Sequence, residues 1–194
     1  MANLIKCPNC GELGQTVSEN CAACDNPVTI KEIGAVMAMP MPQINKYISS
    51  YKEQITEQPD NRQLISSIAM CYLRLKLYDK ALPCFEKAME ENFEDSTPFF
   101  YAAVCILKGQ KAFLQTRPVI DKIMEYVNAA LSIEDCALYH YFLAYIKNDY
   151  FDRKHLNSPP SAAELLDAAK QRGITDNEIS IFYTVLGVER PKDL

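Results

Sequence analysis

The residues most able to do chemistry stand near the start of the chain, in the stretch CPNCGELGQTVSENCAAC. Cys7 and Cys10 are separated by two residues, Cys21 and Cys24 likewise, and ten residues lie between the pairs. Two residues between thiols let both point at one ion while the intervening backbone turns its amides toward the sulfurs. Two such turns supply four thiolates for a tetrahedral ion, and zinc, with its filled d shell, suits that set. Three uses compete for the thiols: redox exchange, catalysis at a metal, or a metal that only holds structure. Redox use of CxxC needs a βαβ setting, and no such pattern follows. A catalytic zinc keeps an open coordination position, whereas four thiolates close the shell. His140 and His155 are far along the chain and read as ordinary surface or helix residues. The expectation is one structural zinc ion on Cys7, Cys10, Cys21 and Cys24.

A metal is needed there because the segment has little else to fold with. Its larger apolar side chains are chiefly Leu4, Ile5, Leu13 and Val17, too few to offset the entropy of ordering the backbone. Zinc binding in zinc-finger peptides is worth about 10–16 kcal/mol, enough to supply the difference. Pro8 and Gly11 fit the first turn, where Gly takes a positive φ at no cost, and Asn26 and Pro27 end the second. The stretch resembles the short zinc ribbons found at the N-termini of many prokaryotic proteins. Cys7-Pro8-Asn9-Cys10-Gly11 matches their first knuckle. The second departs, with Asp25 in the place of glycine, and Asp visits left-handed conformations less freely. The resemblance covers residues 5–28.

Length and charge bound the remaining possibilities. The chain has 194 residues and a net charge of −5, enough for one medium domain or for a small and a medium one. Its apolar runs fall short of the roughly 20 residues that span a bilayer, and cysteines rather than an apolar leader follow Lys6. The expected compartment is cytoplasmic. The other cysteines, Cys71, Cys84, Cys105 and Cys136, stand singly in apolar helical patterns and read as small core residues. No linear stretch gathers a basic stripe. In residues 1–34, Lys6 and Lys31 face Glu12, Glu19, Asp25 and Glu32, a poor footing for phosphate backbones.

After Gly34 the texture changes. GAVMAMPMPQ is apolar and lacks helical periodicity, so residues 35–41 read as a linker laid against something else, with Met37, Met39 and Met41 as adaptable filler. Helical patterns then run from residue 42 to residue 194. MPQINKYISSYKEQI forms a first helix. In NRQLISSIAMCYLRLKLYDKALPCFEKAM, apolar residues recur at Ile65, Ile68 and Tyr72, then at Ala81, Phe85 and Ala88, the spacing of two helices. The break at residues 77–79 admits only a tight antiparallel turn, and small Ala69 and Ala81 let the helices approach. Ser96-Thr97-Pro98 supplies hydroxyl caps before a first-turn proline, ahead of Phe99, Ala102, Ala103 and Ile106. A partner helix begins at Pro118 and runs to about Ser132. CALYHYFLAYIKNDYF is another, and HLNSPP a loop. Ser161 with Glu164 and Thr175 with Glu178 form capping boxes, for helices that close at Gly173 and Gly187.

The segment from Arg62 resembles a tetratricopeptide repeat. Ile65, Ile68-Ala69 and Tyr72 meet the first-helix pattern, and Ala81, Phe85 and Ala88 the second; Phe93 stands where the closing proline is expected. The expected fold is mainly α: a tetratricopeptide-like helical-hairpin solenoid of about eight helices over residues 42–194, preceded by a zinc ribbon at 1–34. The resemblance implies protein or peptide binding in a groove lined by first helices. Carried over residue by residue, the lining is Gln63, Ser66, Met70 and Arg74, then Phe100, Val104 and Lys108, then Tyr139, Leu143 and Lys147. This largely apolar set suits an apolar peptide segment. Coverage by the chain's own linker, or self-association, would also satisfy it.

No phosphate loop, metalloprotease helix or nucleophile elbow is present, so no enzymatic activity is expected. Nucleic-acid association through the ribbon is a poor second reading, because Lys6 is the one basic residue of the cysteine stretch 5–28 and no aromatic lies in residues 1–46. An enzyme of unrecognised type is the third. The reading that results is a protein-interaction adaptor with a structural zinc.

Overall fold

In the computed structural model, residues 4–15, 20–90, 92, 94–156 and 158–194 are described; the readings on Val17 and Phe93 lie outside them. The chain divides into two compact units, Met1–Glu90 and Glu91–Leu194. It is mainly helical, a tetratricopeptide-like set of helical hairpins.

The first unit begins with a small hairpin. Strands β1 (Leu4–Lys6) and β2 (Leu13–Gln15) pair antiparallel, with Ile5 opposite Gly14. Ile5 is fully buried while Leu4 and Lys6 face out, the period-two alternation of a half-covered strand. Helices α1 (Ile33–Met37), α2 (Met41–Glu57), α3 (Arg62–Arg74) and α4 (Tyr78–Met89) follow. Helix α2 buries Ile44, Tyr47, Ile48, Tyr51 and Gln54, one stripe at steps of three and four. It packs on α3, and α3 on α4.

The expected repeat is the α3–α4 hairpin. Ala69 and Ala81 are fully buried, as is Phe85, which places the small residues where the two backbones approach. Asn61 caps α3 by accepting from the Leu64 amide. The turn closes with Lys76 at φ +56° and the Leu77 amide donating to the Tyr72 carbonyl at 2.9 Å. Those are the left-handed residue and the six-to-one bond of a Schellman end.

Residues 35–41 are not a plain linker. Most of them form α1 and the start of α2, with Ile33 and Val36 buried and α1 packed on α3. Five residues are too few for helical periodicity to show in sequence, but one buried i, i+3 pair is enough to seat a turn. Met39 is buried, Met37 partly so, and Met41 is exposed. Nor is residue 34 a boundary in the packing, since the hairpin and cysteine loops belong to the same unit as α2–α4.

The second unit holds α5 (Thr97–Ile106), a 3-10 turn (Ala112–Leu114), α6 (Arg117–Ile133), α7 (Ala137–Ile146), α8 (Ala162–Gln171) and α9 (Asp176–Leu186). Helix α7 runs on through a π-helical turn, Lys147–Phe151, and a 3-10 turn, Asp152–Lys154, to a left-handed His155. Its core is aromatic. Phe100 stacks on Tyr139 at 4.6 Å, Phe142 meets Phe182 at 5.2 Å, and the Tyr141 and Tyr183 hydroxyls share a buried hydrogen bond.

Both capping boxes form as read. The Glu178 amide donates to the Thr175 hydroxyl and the Thr175 amide to the Glu178 carboxylate, with the same exchange between Ser161 and Glu164. Gly173 and Gly187 take positive φ just past their helices. Ser96 does not cap α5. Its hydroxyl donates to Glu134 at 2.6 Å and meets the Tyr139 hydroxyl at 2.8 Å, because a buried hydroxyl takes the stronger charged acceptor. The Thr97 amide is held by Asp95 instead. Thr175→Ala removes one half of the last box and is expected to lower stability by about 1 kcal/mol, measured as a shift of the urea midpoint; an unchanged midpoint would show that α9 is held by packing alone.

Candidate metal centre

The four N-terminal thiols come together. The Sγ atoms of Cys7, Cys10, Cys21 and Cys24 all lie within 4.8 Å of one another. Cys7 is 3.6 Å from Cys24 and Cys10 is 3.5 Å from Cys21. Thiolates about 2.3 Å from a tetrahedral ion would stand about 3.8 Å apart, so the donor set has the size to take a metal ion. Neither histidine joins it.

Each pair sits on the same backbone turn. The Cys7 amide donates to the Glu12 carbonyl and the Gly11 amide to the Cys7 carbonyl; Cys21 with Asn26, and Asp25 with Cys21, repeat both bonds, all at 2.8–2.9 Å. The residue after each pair must go left-handed to close this loop. Gly11 does so at φ +81° and Asp25 at φ +54°, so the departure from glycine changes the cost of the second turn and not its shape. Asn20 donates to the Asp25 carboxylate. The turned amides point inward as the spacing implies: the Glu12 amide meets the Cys10 sulfur and the Asn26 amide the Cys24 sulfur.

The thiols differ in environment. Cys7 and Cys21 are buried, Cys24 half-buried and Cys10 exposed. Burial pushes the Cys7 thiol up to about 12, whereas the Asn26 amide draws Cys24 down to about 6. Without a metal, the buried Cys7 thiol therefore holds on to its proton. A metal must displace it, since only thiolates bind.

The site rests on α2 through hydrogen bonds that the sequence reading missed. The Lys6 amide donates to the Gln54 carboxamide oxygen at 2.7 Å, and Gln54 Nε2 donates to the Lys6 carbonyl at 3.0 Å. One side chain thus satisfies both backbone groups of a strand residue, as a third strand would. Gln58 donates to the Leu4 carbonyl, Tyr51 to Val28, Tyr47 to Pro27, and Lys46 to Asn9. Gln43 holds the Asn26 side chain. Beyond α2, the Ile30 amide donates to Ser67 of α3 at 2.8 Å. Residues 43, 47, 51, 54 and 58 follow steps of four and three, one helix face. Glutamine and tyrosine repeating on that face were the visible signal, since each carries a polar tip on an apolar or flexible stem.

The carried-over groove positions fall into two sets. Met70, Phe100, Val104, Tyr139, Leu143 and Lys147 are buried, so in this chain they face packed neighbours and not an open surface. Tyr139 takes part in the Ser96 bond, and Lys147 Nζ is bound to Ser158 at 2.7 Å. Gln63 and Lys108 are exposed, with Ser66 and Arg74 half-buried; Arg74 Nε is buried without a hydrogen-bond partner. The cause is aromatic content: large rings at 100 and 139 interlock where a groove would need smaller side chains.

Comparison with known proteins supports the fold. No protein-family model matches the chain, and no curated protein does. Among solved structures, one described as MamA MSR-1 C2 is similar, with a TM-score of 0.54 and 16% sequence identity, over 77% of this chain and 79% of that chain. That likeness is one of fold, a helical repeat of tetratricopeptide type.

The geometry sets two expectations. Metal affinity should fall as pH is lowered from about 8 to about 6, as protons compete for the sulfurs, read by chelator competition; a flat profile would mean that thiolates are not the ligands. Gln54→Ala leaves the four thiols intact but strips the Lys6 backbone of its partners, at roughly 1–3 kcal/mol. It should lower the unfolding midpoint of the metal-bound protein, and no change would show the clamp to be dispensable.

Proposed function

We propose that this chain is a non-catalytic protein-interaction adaptor whose ribbon is held by one structural zinc ion. Cys7, Cys10, Cys21 and Cys24 hold the ion. Its chemistry is to replace the hydrophobic core that so short a segment lacks. The observation that carries the reading is a four-sulfur shell with no place left for a water or a substrate, mounted by hydrogen bonds on the helix that leads into the repeat.

The helical hairpins would supply the contact surface for a protein or peptide partner, as tetratricopeptide-like folds commonly do. The fold alone supports this step. Of the carried-over positions, Gln63, Ser66, Arg74 and Lys108 reach solvent and would touch the partner directly. Among the described residues no helix is long and apolar enough to cross a membrane; a cytoplasmic location is part of the proposal.

Two measurements test the reading. Elemental analysis of purified protein should find about one zinc per chain, lost in Cys21→Ser; iron with reversible redox behaviour would reopen the thiols as redox chemistry. Capture with the intact zinc-bound protein should recover a specific protein, and Arg74→Glu should weaken that capture. Undiminished capture by Arg74→Glu would remove the first repeat from the contact surface.

A further inference from the structure

Folding brings together charge that no single stretch displays. Lys111 and Arg117 flank the 3-10 turn Ala112–Leu114, while Lys147, Arg153 and Lys154 belong to the turns that extend α7. Lys154 Nζ reaches the Gln115 carbonyl at 3.4 Å, and Arg153 and Lys154 both lie over the Phe113 ring, at 4.1 and 5.2 Å from its centre. Arg117 lies over Phe151. Against these five cations stand Asp149 and Asp152 in the same two segments and Asp121 on α6, which pairs with Arg117 at 2.7 Å; Lys147 is itself buried against Ser158. The result is a positive face on a chain whose net charge is −5.

Leu114 stands in the middle of that face, 68% exposed. A single exposed leucine is ordinary, but this one is held in place by a buried acid. Asp149, only 4% exposed, accepts from the Phe113 amide at 2.9 Å and binds Arg153 at 2.7 Å. Tyr145 accepts from the Ala112 amide. A buried carboxylate is costly to desolvate, and here its hydrogen bonds fix a three-residue surface turn. The apolar side chain is thereby presented in one position, which lowers the entropy lost on binding.

We propose that this face docks an acidic peptide segment carrying one apolar anchor side chain, which packs on Leu114 while its carboxylates meet Lys111 and Lys154. Charge complementarity names the occupant. Among the described residues Lys111 and Lys154 have no carboxylate partner, so an incoming acid displaces no other carboxylate there. Nucleic acid would need open aromatic faces for bases. Phe113 is capped by two cations, and Tyr150 and Phe151 are buried. A cavity of about 470 Å³ shares Lys111, Arg153, Asp149 and Asp152 with this face and adds two cations and two carboxylates of the C-terminal tail, which cancel. It selects neither sign.

The proposal rests on the protein-interaction reading and gives its partner a chemistry. A random-peptide phage library panned on the intact zinc-bound protein is the probe. Enriched peptides should be rich in Asp and Glu around one large apolar residue. Synthetic copies should lose about tenfold or more in affinity with Leu114→Glu and with Lys154→Glu, but not with Lys170→Glu on α8. Helical content and zinc content of each variant establish that it is folded. Enriched peptides that bind all three variants equally, or that are neutral or basic, overturn this face and leave the adaptor reading standing. Absence of any enrichment overturns both. A fluorescein-labelled thymidine oligonucleotide that binds, weakens with Lys154→Glu and ignores Leu114→Glu overturns the peptide in favour of nucleic acid.

Discussion

A segment with almost no regular secondary structure must still find partners for its backbone amides and carbonyls, and this requirement shapes the first unit. Two three-residue strands satisfy only a fraction of them. Within the cysteine loops the turns satisfy a few more, by the paired bonds at Cys7 and Cys21. The remainder are met from outside, by side chains of α2 and by Ser67 of α3. An unmet buried amide costs about as much as a lost hydrogen bond, so the polar stripe on α2 is as much a part of the cysteine segment's fold as its own residues. The four sulfurs gather the loops, and the helix holds the gathered loops in place.

That arrangement joins the two modules that the sequence suggests are separate. Tyr47 and Tyr51 show how. Their rings belong to the buried stripe of α2, at an edge-to-face separation of 5.8 Å, while their hydroxyls hold Pro27 and Val28. One residue type serves the helical core with its body and the cysteine segment with its tip. Loosening of the cysteine loops would therefore be felt by α2, and disruption of α2 by the loops, within a single compact unit.

What was legible in the sequence was local. A CxxC turn, a capping box, a glycine past a helix end and a three-four apolar spacing are each decided within a few residues, and each appears where the spacing places it. Ser96 shows where locality fails: a hydroxyl before a first-turn proline is a cap by rule, until Glu134, 38 residues on, offers a charged acceptor. The groove positions fail similarly. A repeat pattern fixes which face of a helix a residue occupies, but Phe100 and Tyr139 stack on one another and fill the space that smaller side chains would leave open. The α2 clamp needed knowledge of which backbone would lack partners, and the positive face required two segments that no linear scan would join.

The two polar assemblies in the chain obey opposite economies. At the cysteine site, four sulfurs face inward, and on the proposed zinc reading their charge would serve to hold loops together. At the extension of α7, one buried carboxylate organises cations that remain outside. Asp149 lies four residues after Tyr145 and four before Arg153, so a single helical face carries acid, hydroxyl and guanidinium in reach of the same 3-10 turn. The π-helical turn that contains Asp149 widens the helix there. Exposed ion pairs contribute little to stability, and Arg153, half exposed, adds little to the fold by its charge. Its guanidinium instead lies over Phe113, beside the turn that presents Leu114. Fold stability and surface chemistry are thus carried by different residues, which is the condition under which the contact face of a binding module can change without unfolding it.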